Sequence, residues 1–359
     1  MVADRPLNVF DYERAAESCL EPGALGYFAG GADDERTLRE NLAAFARLQL
    51  RPRVLVDVSE TTTRTSVLGT EVSMPLLLAP TAIHRMCHPD GEQATARAAA
   101  AAGTIMCLSS LATATPAEVA AAAPGAPRWF QVYVYEDRGV TRALIEQAVE
   151  AGYQALVLTV DAPRPGRRER DLRTGFRIPA DVTVPSFRAA LGEAAPATIF
   201  DIFDMLDETL SWRDVEELAA SAPLPLLVKG ILTAEDAHLA CEHGAAGVVV
   251  SNHGGRQLDS VPASIDVLPE VVEAVGGRCE VLVDGGVRRG TDVVKALALG
   301  ARAALIGRPV LWGLAVDGEA GVRHVLELLR EEIERALALC GCPSPGHVTE
   351  AHVRRATAT

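Results

Sequence analysis

Eight short apolar runs recur along the chain, each closed by turn-forming residues and followed by a segment with helical periodicity. Their hydrophobicity is nearly continuous, as in Val248-Val-Val-Ser251, which indicates parallel strands buried on both faces. We place these strands at Leu76–Pro80, Thr104–Ser110, Arg128–Val134, Ala155–Asp161, Leu224–Gly230, Gly247–Asn252, Glu280–Gly286 and Ala303–Pro309. Eight strand–helix units predict an α/β fold of the closed TIM (β/α)8 type.

The segments between the runs are rich in Ala, Leu and Glu, and several end in Ala-Gly or Leu-Gly, a helix stop signal. We predict helices at Asp90–Ala102, Gly139–Ala151, Ala234–His243 and Gly290–Leu299. A doubly wound open sheet is the alternative. It usually has fewer strands and a Gly-x-Gly-x-x-Gly fingerprint, which this chain lacks.

Two regions depart from the strand–helix repeat. Residues 1–75 predict an N-terminal helical extension and a Pro-bounded strand region, and Pro163–Trp212 forms a long loop after strand 4. Long insertions of this kind are usually lids or binding loops. No Ser/Gly-rich linker interrupts the chain, so we expect one domain over residues 1–359, with the barrel at about 76–340.

Charge and cysteine usage limit the partners and the compartment. The formal charge of −14 argues against nucleic acid and against adhesion to anionic membranes. The seven cysteines are scattered, which predicts free thiols in a reducing compartment. Because neither an apolar N-terminal signal nor a peroxisomal C-terminal signal is present, we expect a cytoplasmic protein with no membrane span.

Polar side chains follow nearly every apolar run. In a TIM barrel the carboxyl ends of all strands meet at one face, where the active site lies. The polar residues at these ends are Thr81, Ser109, Ser110, Gln131, Tyr133, Thr159, Asp161, Lys229, Ser251, Asn252, His253, Asp284 and Arg308.

The loops after strands 7 and 8 predict a phosphate site. Gly285 and Gly286 allow close backbone approach, and Arg288 and Arg308 supply charge-assisted hydrogen bonds. Glycine turns with surface arginines are the structural alternative. Because two such loops occur where barrels commonly bind phosphate, the site is the favoured interpretation.

Four further residues suggest chemistry at the same face. His253 is a candidate base, Asp161 could pair with its imidazolium, and Arg256 could bind a carboxylate. Lys229 emerges from a buried strand and should meet a negative group. It could form a Schiff base or face electron density on a cofactor, and the residues alone leave both open.

Two other polar clusters receive a plainer interpretation. The charge run Arg164–Arg170 is expected to be mostly solvated, with room for one arginine to turn inward. His84, Cys87 and His88 lack a further ligand in a fixed motif, so no metal site is expected.

The segment Ser251-Asn-His-Gly-Gly-Arg-Gln-Leu-Asp259 resembles the active-site signature of the FMN-dependent 2-hydroxy acid oxidases and dehydrogenases, especially glycolate oxidase-like members. The similarity runs from Tyr27 to about Cys342. It includes Leu78-Ala-Pro-Thr-Ala82, Gln131-Val-Tyr133, Leu158-Thr-Val-Asp161, Gly166-Arg-Arg-Glu169, Val228-Lys-Gly230, Asp284-Gly-Gly-Val-Arg288 and Ile306-Gly-Arg-Pro309.

The resemblance implies an FMN cofactor and a role for each matching residue. His253 would be the base, Asp161 would stabilise its charged form, and Tyr133 would bind the substrate hydroxyl. Tyr27, Arg168 and Arg256 would bind the substrate carboxylate. Lys229 would face the flavin ring rather than form a Schiff base. The implied flavin-lining residues are Pro80, Thr81, Ala82, Ser109, Gln131, Thr159, Lys229 and Ser251, and the ribityl and phosphate residues are Asp284, Gly285, Gly286, Val287, Arg288, Gly307 and Arg308.

The implied activity is oxidation of an (S)-2-hydroxy acid to the 2-oxo acid, with oxygen reduced to hydrogen peroxide, in a homotetramer. Leu111 at the substrate and Pro165 replace a Trp and a Leu of glycolate oxidase, which predicts a differently shaped apolar pocket and disfavours glycolate. Ala82 matches the oxidases and favours oxygen as acceptor. The alternatives are a lactate- or mandelate-type dehydrogenase with another acceptor, a phosphosugar lyase using Lys229, and a barrel that only binds a phosphorylated ligand.

Overall fold

An N-terminal extension precedes the barrel in the computed structural model, which describes residues 5–196 and 198–356. Residues 1–4, 197 and 357–359 of the predicted domain, and with them the last residues considered for a targeting signal, lie outside the described residues. The extension comprises α1 (Val9–Cys19), α2 (Pro22–Ala29), α3 (Arg36–Ala46), β1 (Leu48–Leu50), β2 (Thr65–Val67) and β3 (Thr70–Val72). The predicted helical extension is therefore present.

Eight parallel strands then close into a barrel. They are β4 (Leu76–Leu78), β5 (Met106–Ser109), β6 (Arg128–Val132), β7 (Ala155–Thr159), β8 (Leu226–Ile231), β9 (Gly247–Val250), β10 (Glu280–Asp284) and β11 (Ala303–Ile306). Each strand pairs with the next in the chain, and β11 returns to β4 with Leu305 opposite Leu77. This confirms the TIM-barrel prediction. Most predicted strands were too long at their carboxyl ends, because pairing stops where the chain turns into the loops.

The barrel interior is filled by every second residue of the strands. One apolar cluster contains Leu77, Cys107, Trp129, Val157, Leu227, Val249, Leu282 and Leu305. Val67 and Val72, from the β2–β3 hairpin, belong to the same cluster and lie in contact with the barrel lining. Because side chains alternate in a strand, the next inward positions are Ser109, Gln131, Thr159, Lys229, Ser251, Asp284 and Gly307. The period of two therefore directs these residues toward the carboxyl-end opening.

Helices surround the barrel and carry the remaining connections. They are α4 (Gly91–Ala102), α5 (Pro116–Ala122), α6 (Arg138–Glu150), α7 (Glu169–Thr174), α8 (Pro185–Leu191), α9 (Ile199–Phe203), α10 (Trp212–Ser221), α11 (Ala234–Glu242), α12 (Ser264–Val275), α13 (Gly290–Ala298) and α14 (Arg308–Cys340). Short 3-10 turns occupy His84–Met86, Gly192–Ala194, Pro345–His347 and Glu350–His352. The four predicted helices are present within one residue at each end. The long loop after the fourth barrel strand holds α7, α8 and α9.

The C-terminal part of the chain is attached to the N-terminal extension. Helix α14 kinks at Asp317 and Gly318, whose backbone is not helical, and packs against α1 and α4. The last strand, β12 (Val353–Arg355), pairs antiparallel with β1, so Val353 lies opposite Leu50. The sequence analysis did not predict this pairing, since three-residue strands carry little periodic signal.

Candidate active site

A cleft opens at the carboxyl ends of the strands, and its empty space, counted together with the solvent at its mouth, is about 1100 Å³. Of the sequence-predicted site residues, those that line it are Tyr27, Pro80, Thr81, Ala82, Ser109, Leu111, Gln131, Tyr133, Thr159, Arg168, Lys229, His253, Arg256, Asp284, Gly285, Gly286, Val287, Arg288, Gly307 and Arg308. Asp161 and Ser251 lie behind this wall, where they bond to lining residues. The barrel ends thus bring the whole predicted set together.

His253 and Asp161 form a hydrogen-bonded pair. His253 Nδ1 lies 2.8 Å from Asp161 Oδ1, which leaves Nε2 as the nitrogen that can accept a proton. His253 has a left-handed backbone with φ of 57°, and its N–H donates to Ser251 Oγ at 3.0 Å. Gly230 permits the pairing, because a Cβ there would lie 2.6 Å from Asp161 Cβ. The sequence analysis placed the pair but missed this role of Gly230.

Opposing charges set the protonation of the pair. Burial lowers the pKa of His253, and Lys229 and Arg256 lower it further, although Asp161 raises it. Burial alone would raise the pKa of Asp161, but His253 and Lys229 bring it below its ordinary value. At neutral pH the imidazole is therefore neutral and the carboxylate is charged, as a base and its orienting partner require.

Lys229 is a buried ammonium. Its Nζ donates to Ser251 Oγ at 2.9 Å and lies 3.4 Å from Asp284 Oδ2. Burial opposes its charge, but Asp284 and Asp161 outweigh that effect and raise its pKa. Because a protonated amine is not a nucleophile, the Schiff-base interpretation loses support.

Several buried polar atoms in the cleft wall or directly behind it have no hydrogen-bond partner within the described residues. They are Gln131 Nε2, Asp161 Oδ2, Asp284 Oδ1 and Arg288 Nε. Gln131 is oriented by its other end, because Oε1 accepts from Ser109 Oγ and the Ser110 N–H. Buried polar atoms are normally hydrogen-bonded, so this pattern indicates a polar ligand.

The side of the cleft near strands β10 and β11 is cationic. Burial lowers the pKa of Arg288, which Glu13 and Asp292 partly oppose. Burial, Arg256 and Arg288 lower the pKa of Arg308 to about 9. Arg308 donates to the carbonyl oxygens of Phe28, Gly30 and Gly254, so it also ties the N-terminal extension to the barrel. Arg288 Nε lies 3.8 Å from Glu13 Oε2, so the positive charge is only partly compensated, and this favours an anion beside these residues.

Two further guanidinium groups flank Tyr27. Arg256 Cζ lies 4.9 Å and Arg168 Cζ 5.5 Å from the centroid of the Tyr27 ring. Burial and Arg168 lower the pKa of Arg256 to about 10, so it stays protonated at neutral pH. Arg168 is the arginine of the charge run that turns inward, with a side chain 9% exposed. Adjacent like charges of this kind suit a carboxylate.

The cleft also contains residues to which the sequence analysis assigned no role in the site, although some of them lie within the motifs that carry the family resemblance. They are Phe28, Ala79, Ala162, Phe203, Gly254, Gln257, Leu305, Ile306, Pro309 and Leu311. Tyr133 and Phe203 meet edge to face, with ring centroids 6.4 Å apart. The alternation along β11 could have identified Leu305, but no local signal marks Phe203, which lies in the insertion.

Residues 5–196 and 198–356 contain neither a metal-binding cluster nor a membrane-spanning helix. No group of three or more His, Cys, Asp or Glu side chains there could hold a metal ion. The His84 ring instead contacts the hydroxyls of Thr81 and Thr95. Within the same ranges, no helix combines the length and the apolar character that a membrane crossing needs.

Known proteins share this architecture over nearly the whole chain. Glycolate oxidase 3 of Arabidopsis thaliana is 51% identical over 352 residues, covering 97% of this chain and 95% of that protein. Glycolate oxidase 1 of Zea mays is 52% identical over 351 residues, with 96% and 95% covered. Mandelate oxidase with benzoyl-formic acid has a TM-score of 0.90 at 42% identity, covering 99% of this chain and 100% of that one.

The family model for FMN-dependent dehydrogenases matches residues 16–355, a span that contains every cleft residue described above. A match of this extent, on a barrel whose strand ends bring together a carboxylate-paired histidine and a cationic wall, leads to one assignment: the chain belongs to the FMN-dependent dehydrogenase family.

Proposed function

We propose that this protein oxidises an (S)-2-hydroxy acid to the 2-oxo acid and passes the electrons to oxygen, which becomes hydrogen peroxide. The observation that carries the proposal is one cleft holding a neutral, carboxylate-paired base and two guanidinium groups. His253 is paired with Asp161, and Arg168 and Arg256 flank Tyr27. A 2-hydroxy acid needs both functions, because its carboxylate must be held while a proton is removed.

The residues of the cleft fit FMN. The unpaired Nε2 of Gln131 and the Lys229 ammonium can donate to the carbonyl oxygens and nitrogens of the ring. The unpaired Oδ1 of Asp284 can accept from a ribityl hydroxyl. Arg288 and Arg308, with the glycine turn at residues 285–286, supply charge for the phosphate. The remaining ring-side residues of this proposal are Pro80, Thr81, Ala82, Ser109, Thr159 and Ser251, and those toward the ribityl and phosphate end are Val287 and Gly307.

The substrate carboxylate is assigned to Arg168, Arg256 and the Tyr27 hydroxyl. Charge-assisted hydrogen bonds contribute about 1.5–3 kcal/mol each, so alcohols without the acid group should be poor substrates. The Tyr133 hydroxyl is buried, and burial raises its pKa, so it acts as a neutral hydrogen-bond donor or acceptor to the substrate hydroxyl. Together these groups orient the substrate before the chemical step.

His253 then removes a proton from the substrate. Its Nε2 is the free acceptor, and the imidazolium that forms is stabilised by Asp161 at 2.8 Å. FMN supplies the two-electron acceptor for this oxidation when it is bound. Lys229 is held between Ser251 and Asp284, and its fixed positive charge would face the flavin ring, where negative charge would develop during the oxidation.

Two alternatives receive less support. A dehydrogenase with another acceptor would share the same cleft, but Ala82 and the relatives named as oxidases favour oxygen. A lyase would need Lys229 as a free amine, whereas Asp284 and Asp161 hold it as the ammonium.

The test is anaerobic mixing of the purified, yellow holoprotein with a panel of 2-hydroxy acids. We expect the flavin absorbance to bleach with at least one (S)-acid and to return on re-aeration with one equivalent of hydrogen peroxide. Bleaching without peroxide on re-aeration would favour another acceptor. If no acid of the panel bleaches the flavin, the proposal is refuted.

We further propose that residues 1–359 form one domain, that the protein is cytoplasmic and that it assembles as a homotetramer. One apolar cluster joins Val9 and Tyr12 of the extension to Leu76 of the barrel, which supports a single cooperative unit.

All seven cysteines are free, which supports a reducing compartment. Light scattering coupled to size exclusion tests the tetramer.

A further inference from the structure

The non-reacting part of the cleft has an apolar wall. Besides the groups assigned to the acid, the hydroxyl and the flavin, its lining includes Leu111, Ala162 and Phe203. None of these side chains can hydrogen-bond to a ligand. A substrate without a side chain would leave this wall in contact with water, whereas an apolar side chain would cover it.

Phe203 comes from the insertion, yet its helix is firmly placed. Thr198 and Asp201 form a reciprocal capping box at the start of α9. Ile199 and Ile202 are buried, with exposed fractions of 3% and 2%, and they anchor the other face of the helix. Phe203 is left half-buried at the last helical position, where it lines the cleft.

The residues after Phe203 are bonded to the continuation of β6. Leu206 forms an antiparallel bridge with Tyr135, and Asp207 N–H donates to the Val134 carbonyl at 3.1 Å. Asp207 also pairs with Arg138 at 2.5 Å. The continuation of β6, which carries Tyr133, therefore also holds the segment that carries Phe203, and the two rings pack edge to face.

On the basis of the proposed function, we propose that the substrate is a 2-hydroxy acid with a bulky apolar, preferentially aromatic, side chain, and that Phe203 of the insertion is a specificity-determining residue that packs against it. Leu111, which is 2% exposed, lines the same cleft and adds apolar surface. Aromatic rings favour offset or edge-to-face partners, and the Tyr133–Phe203 pair provides both an edge and a face.

The experiment compares Phe203→Ala with the matched control Phe200→Ala. Phe200 lies on the same helix but is 42% exposed and does not line the cleft. For each holoprotein, kcat/KM is measured for (S)-mandelate, (S)-3-phenyllactate, (S)-lactate and glycolate. Binding of phenylacetate, which carries the acid and the ring but no hydroxyl to oxidise, is measured by calorimetry.

We expect the unmodified protein to prefer the two aryl acids. Phe203→Ala should lower kcat/KM for them by about tenfold or more, change the value for glycolate less than about threefold, and weaken phenylacetate binding in parallel. Phe200→Ala should leave all four values unchanged.

Three results would overturn the inference. The first is a higher kcat/KM of the unmodified protein for glycolate or lactate than for the aryl acids. The second is an equal change in kcat/KM for all four acids in Phe203→Ala. The third is a higher kcat/KM of Phe203→Ala for the aryl acids, which would show that Phe203 obstructs them. Each leaves the proposed function intact, because at least one acid of the panel still bleaches the flavin. Failure of every acid would refute the proposed function instead.

Discussion

Replacing Asp161 by asparagine removes one negative charge 2.8 Å from His253 while it preserves the shape of the side chain. The amide oxygen can still accept from Nδ1, so the substitution isolates the charge from the hydrogen bond. If His253 accepts the substrate proton, the developing imidazolium loses its counter-charge, and the chemical step slows.

The magnitude follows from the geometry. At about 4 Å between charge centres and an effective dielectric constant of about 20, the pairing is worth about 4 kcal/mol. Proton transfer is incomplete in the transition state, and the His253 side chain is 24% exposed, so we take about half, or about 2 kcal/mol. This corresponds to a decrease of about thirtyfold in the rate of flavin bleaching.

The pH profile has a defined sign. Burial, Lys229 and Arg256 lower the pKa of His253, and the Asp161 carboxylate opposes them by raising it. Loss of the Asp161 charge therefore lowers the pKa of His253 further. The base then stays neutral to lower pH, and the acidic limb of kcat/KM moves to lower pH while the plateau falls. A merely structural role for Asp161 would lower activity without moving this limb.

The assay is anaerobic stopped-flow absorbance across pH, with flavin content and thermal unfolding as controls on folding. A bleaching rate within about threefold of the unmodified protein, together with an unmoved acidic limb, would refute the reasoning.

Three other substitutions test other parts of the cleft. Arg256→Met should raise KM for the acid by about tenfold or more, because it removes a charge-assisted hydrogen bond, and a KM equal to that of the unmodified protein would remove Arg256 from carboxylate binding. Lys229→Met leaves Asp284 without its ammonium partner, so the absorbance ratio of the purified protein should show reduced flavin content; full occupancy with unchanged bleaching would contradict that role. Gly286→Ala should destabilise the fold by about 1–3 kcal/mol or more, since its φ is 90° and the new Cβ would lie 2.0 Å from the Asn41 carbonyl oxygen. Gly125→Ala is its control in thermal unfolding, because Gly125 has a φ of 72° with open space around it, and equal melting temperatures for the two variants would contradict the clash.

The barrel could be predicted from the sequence because each strand is buried on both faces and shows a continuous apolar run. The same alternation extends one step beyond the paired residues, so Gln131, Lys229 and Asp284 could be assigned to the opening. The strand ends were predicted less well. Pairing stops at Leu78 and at Val250, before the polar residues that the predicted strands included.

Several features of the cleft have no local sequence signal. His253 and Asp161 are 92 residues apart, and only the barrel closure brings them within 2.8 Å. The inward turn of Arg168, among the exposed arginines of its charge run, depends on packing against Tyr27. Gly230 is required only because Asp161 comes from the neighbouring strand.

His253, Lys229 and the glycine turn at residues 285–286 could be placed at strand ends from the sequence, although the residues alone left the chemistry of Lys229 open. Phe203 could not be placed, because it lies in an insertion whose helix has no periodic relation to the barrel. Its position is decided by the bridge between Tyr135 and Leu206 and by the burial of Ile199 and Ile202. The sequence by itself thus determined the barrel and the candidate reacting groups at its strand ends, whereas long-range packing decided which further side chains line the cleft.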